Sequence, residues 1–350
     1  MGEHVDVATA TVARTPQTAV QRIPLNTLAI AFGLAGLAEV WTTASDLLGV
    51  PRFVDQIAWG GVLIAWVWLI VAHLRRGSRS GDSLATQLKH PAQGPIAALA
   101  PVVGMLLGAD LFEFVPAAGI ALVVLSIVVA ALFAGWILAF WHTGALSPEA
   151  FHGGYLLPTV AAGLIAATTA SKVGLHMLAI GSFAVGIFFW IIISTVVLAR
   201  LAFFAPLPAA LTPTCAILLA PPAVAGIAWF TINGARPDMV SMALLGLLVL
   251  MVLQQIALIP RYRVLPFSLG FWSFTFPLAA AGGYAMQWVA IAGFPGWQVA
   301  AWLFVVLVTA VIAEVGIRSL VLITSVRRGV QRAESVLRRA DNAVERPRMP

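Results

Sequence analysis

The chain has 350 residues, 61% hydrophobic and only 10% charged, with a formal charge of +6 and a mean hydropathy of +0.96. Soluble domains carry about 25% charged residues. Here 20 basic and 14 acidic side chains cannot cover so apolar a core, so a water-soluble fold is excluded and the chain reads as one all-α integral membrane domain. No long alternating strand pattern is present, which excludes a membrane barrel. The single Cys215 excludes a disulfide framework or a multi-cysteine metal site. A sequence pI near 10.4 points to arginine-rich cytoplasmic loops rather than to nucleic acid.

Residues 1–23 carry Glu3, Asp6, Arg14 and Arg22 and lack an apolar core, so they read as a mobile cytoplasmic tail rather than a secretory signal. A helical span needs about 20 apolar residues. Ten spans follow, at 26–44, 54–72, 95–111, 118–142, 155–170, 175–199, 213–232, 239–259, 270–289 and 297–319. The fifth is short and is expected to extend or tilt. With ten spans, 17 of the 20 basic residues share one side with both termini; Arg52, Lys172 and Arg236 fall on the other. That asymmetry places the termini in the cytoplasm of a multi-pass protein of the cell membrane. Residues 24–323 form the membrane domain. Residues 324–350 are a basic tail, read either as lying on anionic lipid or as disordered in the cytoplasm.

Proline marks each odd span, at Pro24, Pro101, Pro158, Pro221 with Pro222, and Pro277, whereas Pro116, Pro237 and Pro260 sit at the ends of even spans. Side-chain size alternates with it. The third and fifth spans are rich in Ala, Gly and Thr, while AWVWLIVA and GIFFWIIISTVVLA in the second and sixth are bulky. Small residues let helices approach, and proline survives in a span only where neighbours satisfy the freed carbonyl. The pattern predicts five helical hairpins, with kinked odd helices as an inner ring and even helices, carrying Trp66, Trp68, Phe188 and Trp190, outside. Five such helices around one axis suggest a pore; the alternative is that the small residues and prolines serve packing alone.

Segments in order along the chain carry a resemblance: IPLNTLAIAFGLAGLAEVW, KHPAQGPIAALAPVVGMLLG, YLLPTVAAGLIAA, AILLAPPAVAGIAWFTING and FWSFTFPLAA. Together they resemble the tellurite-resistance/C4-dicarboxylate transporter family, which includes bacterial TehA and the plant slow-type guard-cell anion channels. The likeness runs over residues 22–325. It implies ten helices in five hairpins, an inner pore and a homotrimer with one pore per subunit. It also implies a phenylalanine in the ninth helix that blocks the pore, and Phe276 takes that place. Pro277 is expected to hold a kink beside the ring, and Gly33 and Gly36 to leave it room.

Other polar residues suggest little catalysis. No Ser/His/Asp order, paired carboxylates, Walker loop or histidine cluster stands out, and neither a metal nor another cofactor is expected. His73, His90, His142, His152 and His176 read as interfacial. The expected ligands are small inorganic or organic anions. Thr159, Thr168 and Thr169 are lining candidates; Arg22, Lys89, Arg261 and Arg263 are candidates for a cytoplasmic mouth that concentrates anions. Glu314 and Arg318, four apart, read as a helix-face pair. Glu39 is an intramembrane acid and should face protein, a cavity or the far interface. Asp110 and Glu113 read as solvated loop acids. Two functions stand open: passive anion conduction past Phe276, and a proton-coupled carrier of C4-dicarboxylate, tellurite or sulfite-type anions in which Glu39 takes part.

Overall fold

A computed structural model describes residues 21–344, with side chains to Ser325. The expectations for most of the N-terminal tail, Arg14 included, and for the side chains of the basic C-terminal tail lie outside these residues. The described chain is all α. Its long helices are α1 (Leu25–Leu48), α2 (Phe53–Gly77), α3 (Gly94–Leu111), α4 (Pro116–Trp141), α5 (Gly153–Lys172), α6 (His176–Phe203), α7 (Thr212–Asn233) and α8 (Met239–Arg263). They are followed by α9, which opens as Leu269–Phe274 and continues as Thr275–Ala292, and by α10 (Trp297–Val344). Nine are long and apolar enough to cross a membrane. The exception is α9, whose Gly282, Gly283, Tyr284, Gln287 and Trp288 dilute its apolarity. The backbone of the basic tail continues α10 as helix to Val344.

The odd helices close a ring. α1 packs on α3, α3 on α5, α5 on α7, α7 on α9, and α9 back on α1. Each also packs on the even helix that follows it, which makes five hairpins. Burial follows the same division. Within the most apolar 18-residue stretch of each helix, 50%, 72%, 94% and 67% is buried in α1, α3, α5 and α7, against 17%, 28%, 17%, 11% and 28% in α2, α4, α6, α8 and α10. Lipid is as apolar as leucine, so only close packing and hydrogen bonds hold such helices together. The inner helices supply the small residues this requires. A Cβ at Gly226 of α7 would run into the ring of Tyr284 on α9, whose hydroxyl donates to the Ser241 carbonyl on α8 at 2.9 Å.

The prolines gather where the odd helices change winding. Four of the odd helices open in 3-10 geometry, at Leu25–Thr27, Gly94–Ala98, Thr212–Leu219 and Leu269–Phe274. α5 opens with a 3-10 turn, Gly153–Leu156, and then a π turn, Leu157–Ala161. Pro101, Pro221, Pro222 and Pro277 fall in the first turn of the regular helix that follows, and Pro158 inside the π turn. In α8 the helix runs on to Arg263, so Pro260 lies inside its last turn rather than beyond its end.

Of the outer-ring aromatics, Trp68 and Phe188 face outward, 66% and 59% exposed. Trp66 turns in and donates its indole N–H to the Ala100 carbonyl at 2.8 Å, and Trp190 packs on the core.

Candidate functional site

Two cavities lie along the ring's interior. The first, about 360 Å³, is surrounded by the opening turns of all five odd helices, through Asn26, Ile96, Leu156, Thr214 and Leu269. The second, about 130 Å³, lies among their later turns and is lined by Glu39, Thr168, Lys172, Thr231 and Gln287. Phe276 and Val224 line both. Each helix contributes one stripe at helical spacing. On α9 the stripe runs Trp272, Phe276, Ala280, Gly283 and Gln287; on α1 it runs Asn26, Ala29, Phe32, Gly36, Glu39 and Thr43.

Phe276 stands where the two cavities adjoin. It is buried, and its ring stacks on that of Phe32 with centroids 3.7 Å apart and planes 15° from parallel. Gly33 and Gly36 serve as contact surfaces for α9. A Cβ at Gly36 would lie 3.1 Å from Phe276 Cδ2, 3.2 Å from its Cα and 2.9 Å from Ala279 Cβ; one at Gly33 would collide with Thr275 Oγ1 and lie 2.7 Å from the Trp272 ring. Trp272 is itself fixed, its indole N–H donating to Ser319 Oγ at 2.9 Å. Phe274, two residues from Phe276, borders neither cavity and packs edge-on against Tyr262 at 4.7 Å.

The other expected lining residues divide. Pro221 and Pro277 line the first cavity and Gly36 the second. Gly33, Pro101, Pro158 and Thr159 line neither; Leu157, Val160 and Ala161 form the wall of α5 instead. The Thr159 hydroxyl is buried without a hydrogen-bond partner. Thr168 faces the second cavity, but its hydroxyl donates to the Leu164 carbonyl at 3.1 Å; that of buried Thr169 donates to Ile165 at 2.9 Å.

None of the four basic mouth candidates borders the first cavity. Arg22 donates to the carbonyls of Asp82 at 2.8 Å and Gly77 at 3.3 Å, tying the N-terminal segment to the end of α2. Lys89 sits 5.6 Å over the ring of Phe140. Arg261 and Arg263 are exposed on the last turn of α8. The charge beside the first cavity comes instead from its architecture: five helix N-termini, each the positive end of a backbone dipole, surround one apolar space.

Glu39 is not isolated. Both its carboxylate oxygens lie 3.2 Å from Lys172 Nζ, at the end of α5. Asp46 pairs with Arg52 at 2.6 Å. Asp55, almost fully buried, accepts from Ser45 at 3.1 Å and Thr42 at 3.4 Å. Glu314 and Arg318 form the expected pair, both half exposed. Asp110 lies in the last turn of α3 and is partly buried, so it is not a loop acid. His152 stands at a helix start, as expected, but is fully buried: it caps α5, its Nδ1 accepting from the Gly154 N–H at 3.1 Å. Burial pushes its pKa down from the ordinary 6.5 to about 4. Among the described residues no three His, Cys, Asp or Glu side chains are grouped to hold a metal ion.

Sequence reasoning missed Phe32, Val224, Lys172 and Gln287. The signal for Gln287 was its phase, eleven residues or three turns from Phe276. Lys172 carried none, because pairing across 133 positions is visible only in the fold.

The sequence profile of the voltage-dependent anion channel (SLAC1) family matches residues 22–320. A tellurite resistance protein TehA homolog of Haemophilus influenzae is 25% identical over 264 residues, 75% of this chain and 80% of its own length. The guard cell S-type anion channel SLAC1 of Arabidopsis thaliana is 30% identical over 138 residues, 39% of this chain and 25% of its own length. The S-type anion channel SLAH2 of the same plant is 22% identical over 280 residues, 76% of this chain and 53% of its own length. The matched stretch thus spans a quarter and about half of the two plant proteins.

Proposed function

Because the chain belongs to the voltage-dependent anion channel family, we propose that it conducts small anions, inorganic or organic, through the ring of odd helices, with the side chain of Phe276 as the gate. The observation that carries this reading is that Phe276 lines both cavities, so the route between them passes its ring. An aromatic plug in an apolar constriction excludes water, and an ion cannot shed its hydration there without replacement ligands. The first cavity supplies a reason for anions over cations. Each helix N-terminus favours a nearby negative charge by about 0.3–1 kcal/mol at an exposed surface, and five of them surround this space.

In this reading all ten helices span the membrane of the cell, the first cavity opens to the cytoplasm with both termini, and the second opens outward. The 17-to-3 distribution of basic residues supports that orientation. The exposed apolar faces of α2, α4, α6, α8 and α10 meet lipid and two further copies in a homotrimer, each subunit with its own pore. No step is catalytic.

A second reading, a proton-coupled carrier of dicarboxylate, tellurite or sulfite-type anions, draws on the tellurite resistance of one relative's name and on Glu39 beside the route. Flux into liposomes with and without a pH gradient separates the two. Conduction requires flux driven by the anion gradient alone; dependence on the proton gradient would replace the channel with the carrier.

A further inference from the structure

Within the second cavity the neutral side-chain hydrogen-bond donors free to meet an anion come down to the amide of Gln287. The hydroxyls of Thr43, Thr168 and Thr231 all donate to carbonyls four residues back in their own helices, at 2.8, 3.1 and 2.8 Å. Thr42 accepts the indole N–H of Trp59 and donates toward Asp55. These threonines therefore present lone pairs to the cavity, which repel an anion. This cavity also lies toward the helix C-termini, where backbone dipoles disfavour negative charge, and Asp46 and Glu39 add two carboxylates to its wall. Lys172 is the one cation lining either cavity among the described residues. Its ammonium is occupied by Glu39, whose two oxygens straddle it at equal distance, as a nitrate or carboxylate would.

We propose that Lys172 is an anion-binding subsite on the far side of Phe276, and that the Glu39 carboxylate is a tethered occupant competing with the permeating anion for it. The proposal rests on the anion-conduction reading for its purpose, but the binding site itself is testable without current. An anion leaving the first cavity meets an acidic vestibule. Lys172 gives it a place to pause, and Glu39 keeps that place from becoming a trap by returning as the anion departs. Conduction needs binding tight enough for entry and weak enough for release. Asp46 is held by Arg52, and Asp110, at the end of α3, lies near enough to feel both Glu39 and Lys172. Neither has both oxygens on the ammonium, so Glu39 is the competitor.

The test is nitrate-dependent thermal stabilisation of the full-length protein in detergent, at fixed pH and constant ionic strength against gluconate. A ligand that binds only the folded state stabilises it in proportion to its occupancy. Glu39→Gln removes the competing charge and is expected to bind nitrate about tenfold more tightly than the wild type, the order of one charge-assisted hydrogen bond. Glu39→Gln with Lys172→Met should lose that gain, and Glu39→Gln with Lys172→Arg should keep it, which separates lost charge from lost packing. No tightening in Glu39→Gln, or a gain that survives Lys172→Met, overturns the subsite. Phe276→Ala assayed for current in parallel judges the conduction reading alone: absent current with a Lys172-dependent nitrate response leaves the site standing and removes its role in permeation.

Discussion

The ring of Phe32 on α1 lies nearly parallel to that of Phe276 on α9, centroids 3.7 Å apart; Phe276 borders both cavities, whereas Phe32 borders the first alone. The pair is thus asymmetric: Phe32 braces and Phe276 divides. Phe32→Ala enlarges the first cavity but leaves the dividing ring in place. We expect it to raise anion flux less than Phe276→Ala does. Equal flux from the two variants in the same liposome assay would make the stack, rather than one ring, the barrier.

The contact of α1 with α9 depends on two glycines. Alanine at Gly33 meets Thr275 and Trp272, and at Gly36 meets Ala279 and the backbone of Phe276. Helix backbone at Gly36, and the hydrogen-bonded side chains of Thr275 and Trp272 at Gly33, cannot yield as a free side-chain tip can, so overpacking here should cost about 1–3 kcal/mol. We expect both variants to lower the melting temperature in detergent. Gly181→Ala and Gly246→Ala, where a Cβ meets nothing within 4 Å, should be neutral or stabilising by about 0.5–1 kcal/mol, because alanine suits a helix interior better. Melting curves of the four variants check the contrast.

Buried His152 makes stability sensitive to acid. Its folded-state pKa is about 4 against an ordinary 6.5. Below 6.5 the unfolded chain takes up a proton that the folded chain refuses. The stability contributed by the neutral ring is therefore full above pH 6.5, declines as the pH falls toward 4, and amounts to about 3 kcal/mol at roughly 1.4 kcal/mol per pH unit. His152→Asn keeps an acceptor for the Gly154 N–H and removes the titration. We expect its melting temperature to fall less between pH 7 and 4.5 than that of the wild type. Parallel acid profiles would assign the sensitivity to other groups.

The fold was largely legible because two signals act along the chain: apolar length, which placed the helices to within about five residues save that α10 runs on to Val344, and the alternation of proline and small residues with bulky ones, which separated inner helices from outer. What could not be read was phase. Composition marked α5 as inner but not which of its faces meets the cavity, so Thr159 was expected in the wall that Val160 and Ala161 form. The prolines were visible, but not that 3-10 and π turns precede or contain them. The mouth arginines were placed by helix-end counting, which cannot show that Arg22 is committed to backbone carbonyls. The Glu39–Lys172 pair joins helices far apart in sequence and left no local trace.

Anion current through Phe276→Ala, with Phe274→Ala as its control, tests the central claim most directly. A packed phenylalanine costs about 3–5 kcal/mol when truncated to alanine, but space vacated by Phe276 opens to cavities on both sides and can fill with water. In planar bilayers or liposomes we expect Phe276→Ala to carry an anion current several-fold above the wild type while its size-exclusion profile is unchanged. Phe274→Ala, against Tyr262 and away from both cavities, should lose stability and gain no current. Folded Phe276→Ala with wild-type current, or a gain confined to Phe274→Ala, would contradict the assignment of Phe276 as the gate.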